Sequence, residues 1–368
     1  MNGMRDRDVI HLAEQATLGA LLIDPEPLRE IRRWLRPGDF GTLWHEWVYT
    51  TLLERHTAHE PIEPVAVGAA MVDRFGTRLA DQPRLHTLLS STPQPSNAAA
   101  YARIVLDGGL RREVSGNGVL LRAGAAEAAL HGTQAPLMAT CNVVDAGLDA
   151  AAARWAEATG QPHDDVVVPL ALRLAAHNFA ARESAARYLE AYPARDAAAE
   201  REHIAELVGT LIAQPAQIAD VVAWLPPSRI ADPAWRLIYA ATIELSELGA
   251  PIDVVTVAAA SSRYAHHGPA LPALDELREA VEAGWAAYPP QVLRTVAGDQ
   301  VRHLADLGAD QISQAVNNPG VQIADIADTG HVITDALRRT AAALPETAAT
   351  VRPAAVVAPV LRTGGVQR

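Results

Sequence analysis

Apolar positions in this chain recur three and four residues apart far more often than they alternate. Trp235, Ile238, Tyr239, Thr242, Ile243 and Leu245 form one such stripe, and Leu43, Trp44, Trp47, Val48, Thr51 and Leu52 form another. That spacing places each set on one face of a helix. Asp232-Pro233 opens the later stripe, an N-cap carboxylate followed by a proline at the first helical position, and Gly249 closes it. The carboxylate takes up orphan amides, proline has none to lose, and glycine accepts the left-handed cap. Ala-rich runs over 98–131 and 134–158, and again over 289–316 and 321–344, predict long helices. The expected fold class is all-α.

The two stripes belong to a larger repetition. Shifted by 190 positions, residues 14–70 align with 204–260 without a gap. Identical pairs include Gly19/Gly209, Trp34/Trp224, Pro37/Pro227, Tyr49/Tyr239 and Pro61/Pro251. HEPIEPVAV at 59–67 meets GAPIDVVTV at 249–257. Each phrase reads as a joint between two helices, with Asp253 capping the next helix in the second copy and Glu63-Pro64 in its place in the first. Further on, Arg103, Val105 and Arg111 meet Arg294, Val296 and Arg302 at a shift of 191. So long a period marks a duplicated domain, not a solenoid. The expected organisation is a first helical domain over 8–158, a linker over 159–181, a second and diverged domain over 182–344, and a disordered tail over 345–368.

Composition narrows the chemistry. The chain has 368 residues, enough for two cores. All 31 basic residues are arginine, and lysine is absent. A phosphate loop of the form G-x-x-x-x-G-K-[ST] needs that lysine, so the sequence holds no ATPase of this type. Schiff-base chemistry is excluded on the same ground. The formal net charge of −12 opposes bulk binding to a phosphate backbone. Arg32/Arg33, Arg111/Arg112 and Arg338/Arg339 are local basic pairs that solvated helix faces account for. The single cysteine, Cys141, lies in an apolar stretch and reads as a buried small hydrophobe. One cysteine, no signal-peptide core and no run long enough to span a bilayer suggest the cytoplasm.

Three stretches resemble a known family. AEQATLGALLID at 13–24, RPGDFGTLWHEWVYTTLLERHTAHEPIEPVAV at 36–67 and TPQPSNAAAYARIVLDGGLRR at 92–112 are similar to the N-terminal domain of bacterial replicative DNA helicases of the DnaB type. The second copy keeps the joint but lacks the opening acid–amide pair and the T-P-x-x-x-N turn. The resemblance implies a helical bundle with a projecting helical hairpin, a ring-collar role, and contacts with primase and loading factors. It also implies a linker helix, for which 142–158 and 325–344 are the matching segments. The family's motor domain is not matched.

No catalytic, cofactor or metal site is expected. His45-Glu46 begins like H-E-x-x-H, but Tyr49 stands where the second ligand belongs. His56 and His59, His266-His267 and Asp164-Asp165 lack partners at ligand spacing. SGNGVLL at 115–121 is not a dinucleotide fingerprint. The expected role is a non-catalytic interaction module that binds a replicative helicase, a primase or a loader, or associates with itself as a homo-oligomer. The candidate contact residues lie on the hairpins: Tyr101, Arg103, Arg111, Arg112, Arg294 and Arg302. The competing expectation is a DNA-binding factor that uses the arginine rows.

Overall fold

The computed structural model describes residues 6–80, 82–162, 167–264 and 269–346. The tail expected over 345–368, from 347 onward, and the pairs Asp164-Asp165 and His266-His267 lie outside these residues. Every regular element among the described residues is helical.

The first head contains α1 (Asp6–Ile23), α2 (Leu28–Ile31), α3 (Leu43–Thr57), α4 (Pro64–Phe75), α5 (Thr77–Ala80) and α6 (Gln82–Ser90). Its core gathers Leu18, Leu21, Ile31, Trp34, Tyr49, Leu52, Val67, Met71 and Leu88. Helix α7 (Ala98–His131) and α8 (Ala135–Thr159) then form a long antiparallel hairpin. Its turn passes through Gly132 at φ +60°, with the Arg294 side chain lying where a Cβ would project. Two connector helices follow, α9 (Leu170–Ala176) and α10 (Phe179–Ala191).

The second head repeats the first as α11 (Ala197–Ala213), α12 (Ile218–Val222), α13 (Pro233–Glu247), α14 (Val254–Tyr264) and α15 (Leu274–Ala286). Its own core holds Leu207, Leu211, Val221, Trp235, Ile238, Tyr239 and Val257. The second hairpin is α16 (Pro289–Val316) with α17 (Ile323–Ala341).

The repeated residues have common physical reasons. Tyr49 donates its hydroxyl to Leu35 O at 3.4 Å, and Tyr239 does the same to Leu225 O at 2.8 Å. Both hydroxyls are buried, and each ties the third helix of its head to the loop before it. At Gly19 a side chain would strike Leu88 O, and at Gly209 it would strike Ala280 O. In each head two helices cross with their backbones in contact, α1 over α6 and α11 over α15, so both copies need glycine there.

The predicted caps form. Asp232 Oδ1 accepts from Ala234 N at 2.9 Å and Trp235 N at 2.8 Å. Asp253 Oδ1 accepts from Val255 N at 2.8 Å and Thr256 N at 2.9 Å. In the first copy neither Thr42 nor Glu63 makes a side-chain cap bond, and Pro64 opens α4 instead. The joint differs in one further way. Gly249 ends its helix at φ +63°, whereas its counterpart His59 holds φ +56° with a side chain attached. A left-handed conformation costs a non-glycine residue about 1–2 kcal/mol. We expect His59→Gly to raise the stability of the chain by about 1 kcal/mol, read as a higher urea midpoint with an unchanged slope.

Two segments singled out in the sequence take their places in the hairpins. Residues 142–158 and 325–344, which the resemblance matches to a linker helix, fall in the second arms of the hairpins. The first segment lies within α8 and the second overlaps α17 and runs into the turn after it; both helices are second arms packed along the whole hairpin. Helix α10 packs on α7, and the helices repeating the head begin at Ala197. Sequence patterning marked the helices but not which neighbour each would cover.

Candidate functional site

The two hairpins pack against each other, α7 on α16 and α8 on α17, as a four-helix bundle within one chain. Leu121, Ala125, Val144 and Leu148 share a core with Val301, Ala305, Ile312, Ile333 and Leu337. The pairing of α7 with α16 is antiparallel: Arg111 lies against Val316, Gly118 against Ala309 and Ala129 against Gly298. A Cβ on Gly118 would sit 3.1 Å from Ala309 Cβ, and one on Gly298 would sit 3.3 Å from Ala129 Cβ. Small residues thus bring the two helices close. Gly118 and Ala309 are themselves 191 positions apart, the shift that relates the two hairpins. A residue that touches its own counterpart marks a two-fold axis. The duplicated hairpins therefore meet as an isologous pair, with the axis passing by Gly118 and Ala309.

A polar cluster locks the other pair of helices. Asp145 on α8 accepts from Thr334 Oγ1 at 2.6 Å, from His331 Nδ1 at 3.2 Å, and from the Arg338 guanidinium. His331 Nε2 also reaches Asp149 at 3.0 Å. The hydrogen bond to Asp145, with the charges of Asp145 and Asp149, raises the His331 pKa against the opposing effect of burial. Burial alone would raise the Asp145 pKa, but the bonds from His331, Thr334 and Arg338 pull it below the usual carboxylate range. The sign for stability follows from His331. A histidine whose folded pKa is raised contributes fully below its unfolded pKa of about 6.5 and loses that contribution as pH rises through the folded value. We expect the urea midpoint to fall as pH rises from about 6.5 through that folded value, and the His331→Gln variant to lose most of that slope.

The root of the first hairpin is tied to its head by a second network. Arg154 on α8, 7% exposed in its side chain, reaches the Asp39 carboxylate, 5% exposed. It also donates to Trp34 O at 3.1 Å and Glu113 at 3.3 Å. His177, just past α9, bridges Glu113 at 2.6 Å and Arg36 Nη1 at 2.8 Å. The second copy has Arg229 where the first has Asp39, and that arginine instead reaches Trp224 O at 3.2 Å and Thr340 Oγ1 at 2.6 Å.

The residues singled out from sequence are drawn mostly into these internal contacts. Arg111 donates to Val316 O and Asn318 O at 3.0 Å each and to Val321 O at 2.7 Å, clasping the turn of the opposite hairpin. Arg103 donates to Ala158 O at 2.6 Å, and Arg112 donates to Asp39 O. Arg302 donates to Pro193 O at 2.9 Å and lies over the Tyr192 ring. Arg294 lies under the Gly132 turn, and Tyr101 is half-buried. Sequence reasoning passed over Asp39, Asp145, Arg154 and His331. The opposite charges at Asp39 and Arg229 were the one available signal for the first of these. Cys141 is buried, and its thiol is pushed up to about 12, chiefly by burial. Among the described residues, His11, Glu14 and His45 form the one group whose donor atoms lie close enough to share a metal ion.

A family model described as the DnaB-like helicase N terminal domain matches residues 9–107 and 198–277, one segment in each half. The chain belongs to the DnaB-like helicase N-terminal domain family. The replicative DNA helicase DnaB of Mycobacterium leprae is 38% identical over 104 residues, 28% of this chain and 17% of that protein. The replicative DNA helicase DnaB of Leifsonia xyli is 32% identical over 105 residues, 28% of this chain and 23% of that protein. The chain thus spans less than a quarter of the length of these helicases. The crystal structure of the N-terminal domain of DnaB helicase from Mycobacterium tuberculosis matches at 35% identity, with a TM-score of 0.31, over 32% of this chain and 85% of that one. The first matched segment takes in a head and runs on into α7, and the second ends within the first turn of α15.

Proposed function

We propose that the protein is a non-catalytic interaction module of DNA replication, a pair of DnaB-like N-terminal domains fixed together by one polypeptide. The observation that carries this reading is the internal pairing of the two hairpins. Covalent linkage makes that pairing intramolecular, at a high effective concentration. With the hairpin surfaces occupied, a replicative helicase, a primase or a helicase loader would engage the heads and the outer flanks. A cytoplasmic setting suits the lone buried cysteine, and no helix among the described residues is long and apolar enough to cross a membrane. The absence of lysine argues against ATP turnover by a phosphate loop.

The DNA-binding reading gains little from the geometry. Arg122 pairs with Asp306 and Asp310, Arg195 with Glu200 and Asp306, and Arg111 with Asp107 and three carbonyls. Guanidinium groups already paired with carboxylates offer little to a phosphate backbone.

The deciding experiment is a pull-down with the full chain as bait against the host's helicase, primase and loader, alongside a light-scattering mass and a gel shift across a salt series. Retention of one of the three and no DNA shift at low salt are expected. Failure to retain any of them, or a DNA complex that dissociates steeply with salt, would overturn the proposal.

A further inference from the structure

We propose that His11, Glu14 and His45 of the first head form a binding site for a divalent transition-metal cation of the zinc class. His11 and Glu14 lie one turn apart on α1, and His45 projects from the first turn of α3. Glu14 and His45 are each 1% exposed, whereas His11 is exposed and gives an ion a way in. Glu14 Oε1 is held by Gly41 N at 2.5 Å, which leaves Oε2 directed at His45 Nδ1, 2.6 Å away. The two imidazole rings lie with centroids 5.1 Å apart, and Gln15 Nε2 steadies His11 Nε2 at 3.2 Å.

One donor atom from each residue lies within 4.8 Å of the other two. Zinc holds nitrogen and oxygen ligands at about 2.0–2.2 Å in a tetrahedron, so ligands of one ion lie roughly 3.3–3.6 Å apart. The exposed His11 closes in by rotating its side chain, and His45 Nδ1 and Glu14 Oε2 part from 2.6 Å to admit the ion. The ion then replaces the proton shared by His45 Nδ1 and Glu14 Oε2, and that proton leaves to solvent. Two imidazoles and a carboxylate are a borderline donor set suited to Zn²⁺, with Co²⁺ as a spectroscopic substitute. The Arg112 guanidinium beside Gly41 is a nearby positive charge that keeps the affinity moderate. At the equivalent positions the second head has Arg201, Ile204 and Trp235, so the second head does not repeat the site.

The test measures Zn²⁺ affinity by chelator competition and the visible spectrum of bound Co²⁺, in the wild type, His11→Ala and Glu14→Gln. The wild type is expected to bind one ion at this site, at least about tenfold tighter than either variant. His11→Ala removes an exposed side chain and is expected to keep the metal-free melting temperature, so a loss of binding there is not a loss of fold. Equal affinity in the wild type and His11→Ala would overturn the proposal, even if Glu14→Gln failed to fold.

Discussion

Arg154→Ala is expected to destabilise the chain by about 3–5 kcal/mol, the cost of removing one member of a buried ion pair and stranding the other. Asp39 is the stranded group. Burial already pushes its carboxyl up, and the Arg154 charge and the Arg36 backbone N–H hold it back. Without the guanidinium, Trp34 O also loses a donor. The pH dependence identifies the cause. In the variant the folded pKa of Asp39 rises further, so its penalty is absent at low pH and grows as pH climbs from the unfolded value through the folded one. Urea melts at pH 4 and pH 7 should therefore show a smaller deficit at pH 4. Combining Arg154→Ala with Asp39→Asn should restore part of the loss at pH 7. A deficit that is the same at both pH values and in both backgrounds would mean that lost packing, not a stranded charge, is responsible.

The second large effect concerns the two-fold contact between hairpins. Gly118→Leu places a side chain against the backbone of α16, and Gly298→Leu does the same against α7. Overpacking costs about 1–3 kcal/mol per site, and the two sites are far enough apart for their effects to add, to roughly 2–6 kcal/mol. Each single variant should lower the urea midpoint, and the double variant should do so by about the sum. Forced apart, the hairpins expose self-complementary faces, so the double variant should also gain mass with concentration in light scattering. Melting at the wild-type midpoint would show that these helices do not meet at Gly118 and Gly298.

Much of the fold was legible because it depends on local rules. The stripe from Trp235 to Leu245, the cap at Asp232 and the glycine at 249 each act within one or two turns, so the sequence states them directly. The ends of α7 and α16 followed from helical periodicity in the same way. The pairing of hairpins depends on which surfaces meet, and glycines spread along helices of 34 and 28 residues do not announce their partners. This is why Arg111, read as an exposed contact, lies against the turn at Val316 and Val321. The connectors were hidden for the same reason, since α10 is amphipathic but its sequence does not say that α7 is what it covers. His45 was weighed only against Tyr49 on its own helix, where no ligand stands, while Glu14, 31 residues away, became its neighbour only through folding.

The internal two-fold has a genetic consequence. In a homodimer every substitution is made twice, and both faces must tolerate it. Here each position is encoded once, so one head can drift while the other is held. The loss of the acid–amide pair and the exchange of Asp39 for Arg229 are changes that a symmetric assembly would have had to make on both sides. Within one chain the two heads stand in a fixed one-to-one ratio, and each presents a face of its own.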